Sequence, residues 1–164
     1  MNVVKILALT IATLLSVPAT AELKIKDAPA VCSVLADLGL KGRKWVDYGD
    51  GTAGCASDYK DIGSSSGLPN NLAYYATGSG SSAAQVKLVL NYNQPSQAAK
   101  ATPQMLRAAD RLSALMLGAP LPASIKNAVS KGKPVKERLG AGEIEVTRDD
   151  WPTGRGYEVH VILR

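Results

Sequence analysis

The stretch QVKLVLNY, residues 85–92, alternates polar and apolar side chains with a period of two. One face of an extended chain then holds Val86, Leu88, Leu90 and Tyr92. This is the pattern of a strand with one buried face. The preceding residues, 78–82, are Gly and Ser only and predict a hairpin to a second strand over 72–77. An antiparallel sheet is therefore expected at the centre of the fold.

Other segments predict helices and further strands around this hairpin. Helical spacing of apolar residues indicates a helix over 28–38 that ends at Gly39 and a helical stretch over 96–117. Within this stretch, Pro103 is expected in the first turn of the main helix. A short third helix reaches Ser130 and is closed by Gly132. Additional strands are predicted at 54–62, 135–139, 143–147 and 157–164.

The resulting element order is α-β-β-β-α-α-β-β-β. Antiparallel strands with helices on one face make an α+β fold, and we expect five to six strands packed against two or three helices. In element order the chain resembles the type III secretion chaperones and several small exported bacterial proteins. This resemblance covers the order of elements only, and it implies the fold class and no function.

The N-terminus has the composition of a secretory signal peptide. Lys5 precedes the apolar run 6–17, and Ala19-Thr20-Ala21 supplies a small-residue cleavage site. The apolar run is shorter than the roughly 20 residues that span a bilayer. We predict cleavage after residue 21, a mature single α+β domain over 22–164 that does not span the membrane, and a periplasmic location.

Export changes the interpretation of the two cysteines, Cys32 and Cys55. In an oxidising compartment two otherwise isolated thiols favour a disulfide. A redox or nucleophilic cysteine is the alternative, but the chain has no C-x-x-C spacing, and its one His is distant in sequence. We therefore predict a structural disulfide.

Few residues are available for catalysis or metal binding. One His and two Cys exclude a multi-His cage, a four-cysteine zinc site and a cysteine-ligated iron–sulfur cluster within one chain. His160 is predicted on the less apolar face of the last strand, half exposed. Asp149 and Asp150, with Glu143 and Glu145 upstream, are interpreted as solvated turn acids rather than a glycosidase pair. We expect no enzyme activity, no metal and no cofactor.

The formal net charge is +5, and the basic residues form two clusters in the sequence. The first is the run Lys41-Gly42-Arg43-Lys44. The second, predicted to form a basic patch, comprises Lys126, Lys131, Lys133, Lys136 and Arg138. Nucleic acid is not expected as a partner of an exported domain without a nucleic-acid-binding motif. An anionic envelope component or an acidic protein fits better, and a solvated basic face is the simpler alternative.

The loop before the last strand, DDWPTGRGY at 149–157, combines residue types that are enriched in protein interfaces. We predict that Asp150, Trp151, Arg155 and Tyr157 contact a partner. The alternative is that Trp151 folds back and packs over the sheet edge, since a protein without Phe has few large rings for its core.

Together these features favour an exported, non-catalytic protein that binds and inhibits, neutralises or chaperones a protein partner. An immunity protein in the periplasm of a Gram-negative bacterium, acting against a toxin or secreted enzyme, is one example. The alternative is an envelope-associated module that binds an anionic glycan or lipid headgroup through its basic clusters. A hydrolase that uses acidic residues ranks last.

Overall fold

The computed structural model describes residues 21–63 and 67–164, which form an antiparallel sheet packed against helices. The helices are α1 (Ala28–Ser33), α2 (Ala98–Met116) and α3 (Ala123–Lys131). The strands are β1 (Val46–Asp47), β2 (Ala53–Ala56), β3 (Lys60–Ile62), β4 (Asn70–Ser79), β5 (Ser82–Tyr92), β6 (Val135–Leu139), β7 (Gly142–Asp150) and β8 (Tyr157–Leu163). This confirms the predicted α+β class, with eight strands in the described part. The proposed signal peptide, up to residue 20, lies outside it.

The sheet has the order β1-β2-β4-β5-β8-β7-β6, and β3 pairs with the first residues of β4. The single strand predicted at 54–62 is wrong, because β2 and β3 are separated at Ser57. The Ser57 hydroxyl accepts the Tyr74 backbone N–H at 3.0 Å, a bond that the ladder would otherwise make. The Ser57 N–H still donates to the Tyr74 carbonyl at 2.9 Å, and the chain then leaves the sheet for two residues, Asp58 and Tyr59. The short edge strand β1 was not predicted.

Two helices differ from their predicted bounds. The first ends as an α-helix at Ser33 and continues after a break as a 3₁₀ turn, Ala36–Leu38, before Gly39. The second begins at Ala98, so Pro103 lies inside it and not in its first turn. Only the helical hydrogen bond of the Pro103 nitrogen is lost. Two contacts hold the first turns of α2 on the sheet. Ala101 is buried, and Thr102 Oγ1 forms a 2.7 Å hydrogen bond with the Tyr92 hydroxyl. The third helix ends before Gly132, as predicted.

One face of the sheet, here called the covered face, packs against the helices. Its strand residues are Leu72, Tyr74, Ala76, Val86, Leu88, Leu90, Tyr92, Ile144, Val146, Val159, Val161 and Leu163. They meet helix residues that include Met105, Leu112, Met116 and Ile125 in one buried core. The predicted alternation of β5, β7 and β8 is therefore confirmed. Tyr74 donates its hydroxyl proton to the Val31 carbonyl at 2.8 Å, which ties α1 to the sheet.

The opposite side, here called the open face, is formed by the alternate residues of the same strands. On β4 and β5 these include Tyr75, Thr77, Gln85, Lys87 and Asn91. On β6, β7 and β8 they include Lys136, Arg138, Glu143, Glu145, Thr147, Asp149, Glu158, His160 and Arg164. The three helices contact the sheet from its covered face, and the open face is mostly polar, with the buried Ala73 and Val89 as apolar members.

The predicted disulfide between Cys32 and Cys55 is confirmed, with Cα atoms 6.1 Å apart. It joins α1 to β2, and closing a loop of this length stabilises a fold by about 3 kcal/mol. Gly42 passes close beside it, and its N–H donates to the Cys32 carbonyl at 2.7 Å. A Cβ at Gly42 would lie 2.9 Å from that oxygen, so a side chain does not fit there.

No helix in the described ranges is both long and apolar enough to cross a membrane.

Candidate functional site

The loop predicted to bind a partner is held by its own hairpin. β7 continues through Asp150, because Asp149 pairs with Glu158 and Asp150 with Tyr157, so the loop is shorter than predicted. The Tyr157 ring stacks on Tyr92 with centroids 4.5 Å apart. The Arg148 guanidinium lies 3.8 Å from the Tyr157 centroid, and Asp150 accepts hydrogen bonds from that guanidinium. Tyr157 and Asp150 therefore stabilise the strand pair.

Trp151 is half-buried and lies against its own loop. A Cβ on Gly156 would come within 2.5 Å of the indole ring, which shows how closely the ring covers the Gly156 backbone. Its Nε1–H donates to Glu158 Oε1 at 3.3 Å, which places the indole nitrogen at the end of the open face. Arg155 is exposed at the loop tip. Of the four predicted partner residues, Arg155, Trp151 and Asp150 thus remain accessible to a ligand, although Asp150 is already paired with Arg148.

The residues of the predicted basic patch lie on α3, on β6 and in the short connection between them. Lys126 lies on α3 and faces Asp110 at 3.7 Å, whereas Lys136 lies on the open face and pairs with Glu143 at 2.9 Å. Arg138 lies near Lys136 on β6, and Lys131 and Lys133 lie at the end of α3. Lys136, with Arg164, holds the pKa of Glu143 below its usual value. Lys126 and Lys136 thus lie on different elements, each beside an acidic residue, and the basic patch stays a prediction.

Three tyrosines, here called the tyrosine group, lie beside the β2–β4 strand pair: Tyr48, Tyr59 and Tyr75. Tyr48 and Tyr59 are 58% and 62% exposed. The Tyr48 hydroxyl covers Gly54, and Tyr59 interacts with Tyr75. Lys87 Nζ lies 5.2 Å from the centre of the Tyr75 ring. Burial, together with the hydrogen bond to Tyr59, raises the pKa of Tyr75 to about 12.

A pocket of about 300 Å³ lies beside this group. Its lining comprises Arg43, Ala56, Ser57, Asp58, Tyr59 and Tyr75. Arg43 forms an ion pair with Asp58 at the rim. The tyrosine group is not predictable from local sequence patterns, because two of its members lie outside the regular strands, in turns. The only available signal was the Tyr74-Tyr75 pair, since one of two adjacent strand residues must face away from the core.

A second pocket, here called the disulfide pocket, has a volume of about 520 Å³. Its walls come from α1 and from the basic run, and they comprise Ala28, Pro29, Cys32, Ser33, Lys41, Gly42, Arg43, Lys44 and Trp45. The Trp45 Nε1–H donates to the Gly80 carbonyl at 2.8 Å, which fixes the indole as one wall. The first basic cluster thus borders an aromatic-lined cavity.

His160 lies on the open face, the side predicted for it, with 14% of its side chain exposed. Its Nε2 is 2.8 Å from Glu158 Oε2 and 3.8 Å from Asp149 Oδ2. The acids interpreted as turn residues, including Glu143 and Glu145, in fact belong to β7. Glu143 and Glu145 both pair with Arg164 and are occupied by that cation.

No family model, curated protein or solved structure matches the chain. The resemblance to type III secretion chaperones therefore extends no further than element order. Any inference about what the chain binds therefore rests on its own residues.

Proposed function

We propose that the protein is an exported, non-catalytic binding protein that inhibits, neutralises or chaperones a protein partner, as an immunity protein against a periplasm-acting toxin does. The partner binds the open face at the tyrosine group. The observation that supports this most is the position of Tyr48, Tyr59 and Tyr75 beside the β2–β4 strand pair, with the first two more than half exposed.

Tyrosine is well suited to anchor a protein partner. It offers a large amphipathic surface with only two rotatable side-chain bonds, so little conformational entropy is lost on binding. It is also enriched among the residues that dominate binding energy. Because Tyr75 is part of the long central strand β4, the group has a rigid support.

The charges around the tyrosine group favour an acidic partner surface. Lys87 lies over the Tyr75 ring, and Arg43 borders the adjacent pocket. The net charge of +5 attracts an acidic protein over the longer range and speeds association. Trp151 and Arg155 lie at the far end of β7 and β8 and form a secondary contact in this proposal.

Export to an oxidising compartment is supported by the disulfide, which is rare in reducing compartments. A periplasmic toxin or secreted enzyme would be met in that compartment. The signal peptide over residues 1–21 remains a prediction from composition.

Comparative capture from an envelope extract tests the proposal. Three proteins are immobilised in parallel: the wild type, a Tyr48→Ala/Tyr59→Ala double variant, and a control, Arg107→Ala, at an exposed position of α2. The partner should be retained by the wild type and the control and lost by the double variant. With the purified partner, the double variant should bind at least about thirtyfold more weakly, equivalent to about 2 kcal/mol. Equal affinity of all three proteins would contradict the proposal.

The disulfide pocket favours a second candidate function, the binding of an anionic glycan or lipid headgroup. Lys41 and Lys44 border the pocket, and Trp45 offers a flat apolar wall. Vesicles with and without anionic lipid, titrated at increasing salt, test this candidate. Binding that needs anionic lipid, weakens above physiological ionic strength and falls in Lys41→Ala/Lys44→Ala would support it. A salt-resistant one-to-one complex with a protein would support the first proposal instead.

A further inference from the structure

Three potential metal ligands lie together where β7 and β8 pair on the open face. Glu158 lies directly across from Asp149, and His160 follows two residues later on the same face of β8. One donor atom from each residue lies within 4.8 Å of the other two. His160 is largely buried and Asp149 is 67% exposed, so the group is anchored on one side and open to solvent on the other.

The spacing of these atoms suits a small cation. Around a tetrahedral zinc ion with bonds of about 2.0–2.2 Å, neighbouring ligand atoms are about 3.3–3.6 Å apart. The distances from His160 Nε2, 2.8 Å to Glu158 and 3.8 Å to Asp149, lie on either side of that value. All three donor atoms lie within 4.8 Å of one another, so an ion between them would lengthen the separation of His160 from Glu158 and shorten that from Asp149.

Two further features favour a cation at this position. Carboxylates directly across an antiparallel pair repel each other, and the His160 ring nitrogen lies 2.8 Å from Glu158 and 3.8 Å from Asp149. In addition, the Trp151 Nε1–H binds Glu158 Oε1, which leaves Oε2 directed at His160. A hydrogen bond to the distal oxygen is how proteins commonly orient a carboxylate ligand.

We propose that Asp149, Glu158 and His160 bind a divalent transition-metal ion, for which Zn²⁺ is the best match. One imidazole nitrogen and two carboxylate oxygens form a three-ligand set for zinc that leaves a fourth position for water. The ion replaces the proton shared by His160 and Glu158. This site differs from the sequence-based expectation of no metal, and it does not depend on the proposed protein partner.

Calorimetric titration of the oxidised chain with zinc chloride in a non-chelating buffer tests the site. Both cysteines are in the disulfide and do not compete for the ion. Saturable binding of one Zn²⁺ per chain is expected. His160→Ala should lower the affinity by more than about 100-fold, since loss of an outer-shell partner alone costs 10–100-fold. Trp151→Phe should lower the zinc affinity by about tenfold, because it removes the outer-shell hydrogen bond to Glu158.

Asp150 provides a matched control for Asp149. It is the adjacent carboxylate on β7, equally exposed, but it faces Arg148. Asp149→Asn should weaken zinc binding by at least about tenfold, whereas Asp150→Asn should leave it unchanged. An excess of Mg²⁺, which prefers oxygen ligands and holds its water tightly, should not displace the ion.

Several results would overturn this proposal. The first is the absence of saturable zinc binding. The second is an equal loss of zinc affinity in Asp149→Asn and Asp150→Asn, and the third is displacement of zinc by Mg²⁺. The last two would indicate adventitious binding to surface carboxylates. Melting curves recorded in chelator establish that each variant folds. If His160→Ala does not fold, Asp149→Asn and Glu158→Gln provide the same test, since both keep the shape of the side chain.

Discussion

The covered and open faces of the sheet are built from alternate residues of the same strands, yet different forces act on them. On β5, Leu88 and Leu90 are fully buried under the helices, whereas Lys87 and Asn91 point to the other side. Burying one such Leu contributes about 1.5–3 kcal/mol, while an exposed ion pair contributes about 0–1 kcal/mol. Stability therefore resides mainly in the covered face, which leaves the residues of the open face free to serve binding.

The largest change in stability is expected at β5, where substitutions at two neighbouring residues compare the covered face with the open face. Leu88→Ala leaves a cavity in the core and should lower the free energy of unfolding by about 2–5 kcal/mol. Lys87→Ala, one residue away, should change it by less than about 0.5 kcal/mol. Urea denaturation of both variants measures the difference. Similar losses would mean that the open face is as important for stability as the covered face.

The disulfide links α1 of the covered side to β2, and its removal is the next largest change. Cys32→Ser/Cys55→Ser should lower stability by about 3 kcal/mol, because the unfolded chain regains the freedom of a long loop. Chemical denaturation gives the value, and intact mass after alkylation without reductant should find no free thiol in the wild type. Two alkylated thiols in freshly exported protein would contradict the disulfide.

Gly156 tests whether Trp151 is fixed at the end of the open face. A Cβ there would lie 2.6 Å from the Tyr92 carbonyl and 2.5 Å from the indole, so Gly156→Ala forces both to move. We expect a loss of about 1–3 kcal/mol and increased exposure of the ring to quenchers of indole fluorescence. A Gly154→Ala control creates no such contact, although its positive φ still costs some stability. Unchanged fluorescence in Gly156→Ala would show that the ring is not held in this position.

The smallest expected change in stability comes from the adjacent tyrosines Tyr74 and Tyr75, which lie on opposite faces of β4. Burial raises the pKa of both above that of a free tyrosine, so the folded state holds these protons more tightly than the unfolded state. Their contribution is complete below about pH 10 and is lost as the pH rises further. At neutral pH Tyr74→Phe should cost about 1 kcal/mol through the bond to Val31, and Tyr75→Phe less.

Stability curves of these two variants between neutral and alkaline pH provide the measurement. Each variant should lose less stability than the wild type above pH 10, and the difference should be larger for the more deeply buried Tyr74. Identical alkaline slopes for all three proteins would contradict the assigned burial.

The covered face was largely predictable from sequence, because burial imposes a period of two that β5, β7 and β8 follow. The split between β2 and β3 was not, since it depends on one hydroxyl of Ser57 that bonds to a residue seventeen positions later. Likewise, the extension of α2 before Pro103 depends on tertiary contacts of Ala101 and Thr102 that outweigh a lost backbone bond.

The open face was much less predictable. No periodicity constrains Tyr48 and Tyr59, which lie in turns and reach this face only after the chain folds. The grouping of Asp149, Glu158 and His160 depends on the register of β7 and β8, and a shift of one residue would separate them. Similarly, the interface composition of the 149–157 loop did not reveal that Tyr157 and Asp150 hold the hairpin together.

Footprinting of tyrosines by mild iodination, with and without the captured partner, tests most directly whether the open face is the binding surface. In the free protein Tyr48 and Tyr59 should react and the buried Tyr74 and Tyr92 should not. In the complex, Tyr48 and Tyr59 should lose their reactivity, while an amine-directed label on Lys100 of α2 should react as before. Full reactivity of both tyrosines in the complex, with protection at Lys100, would place the partner on the helices and contradict this account.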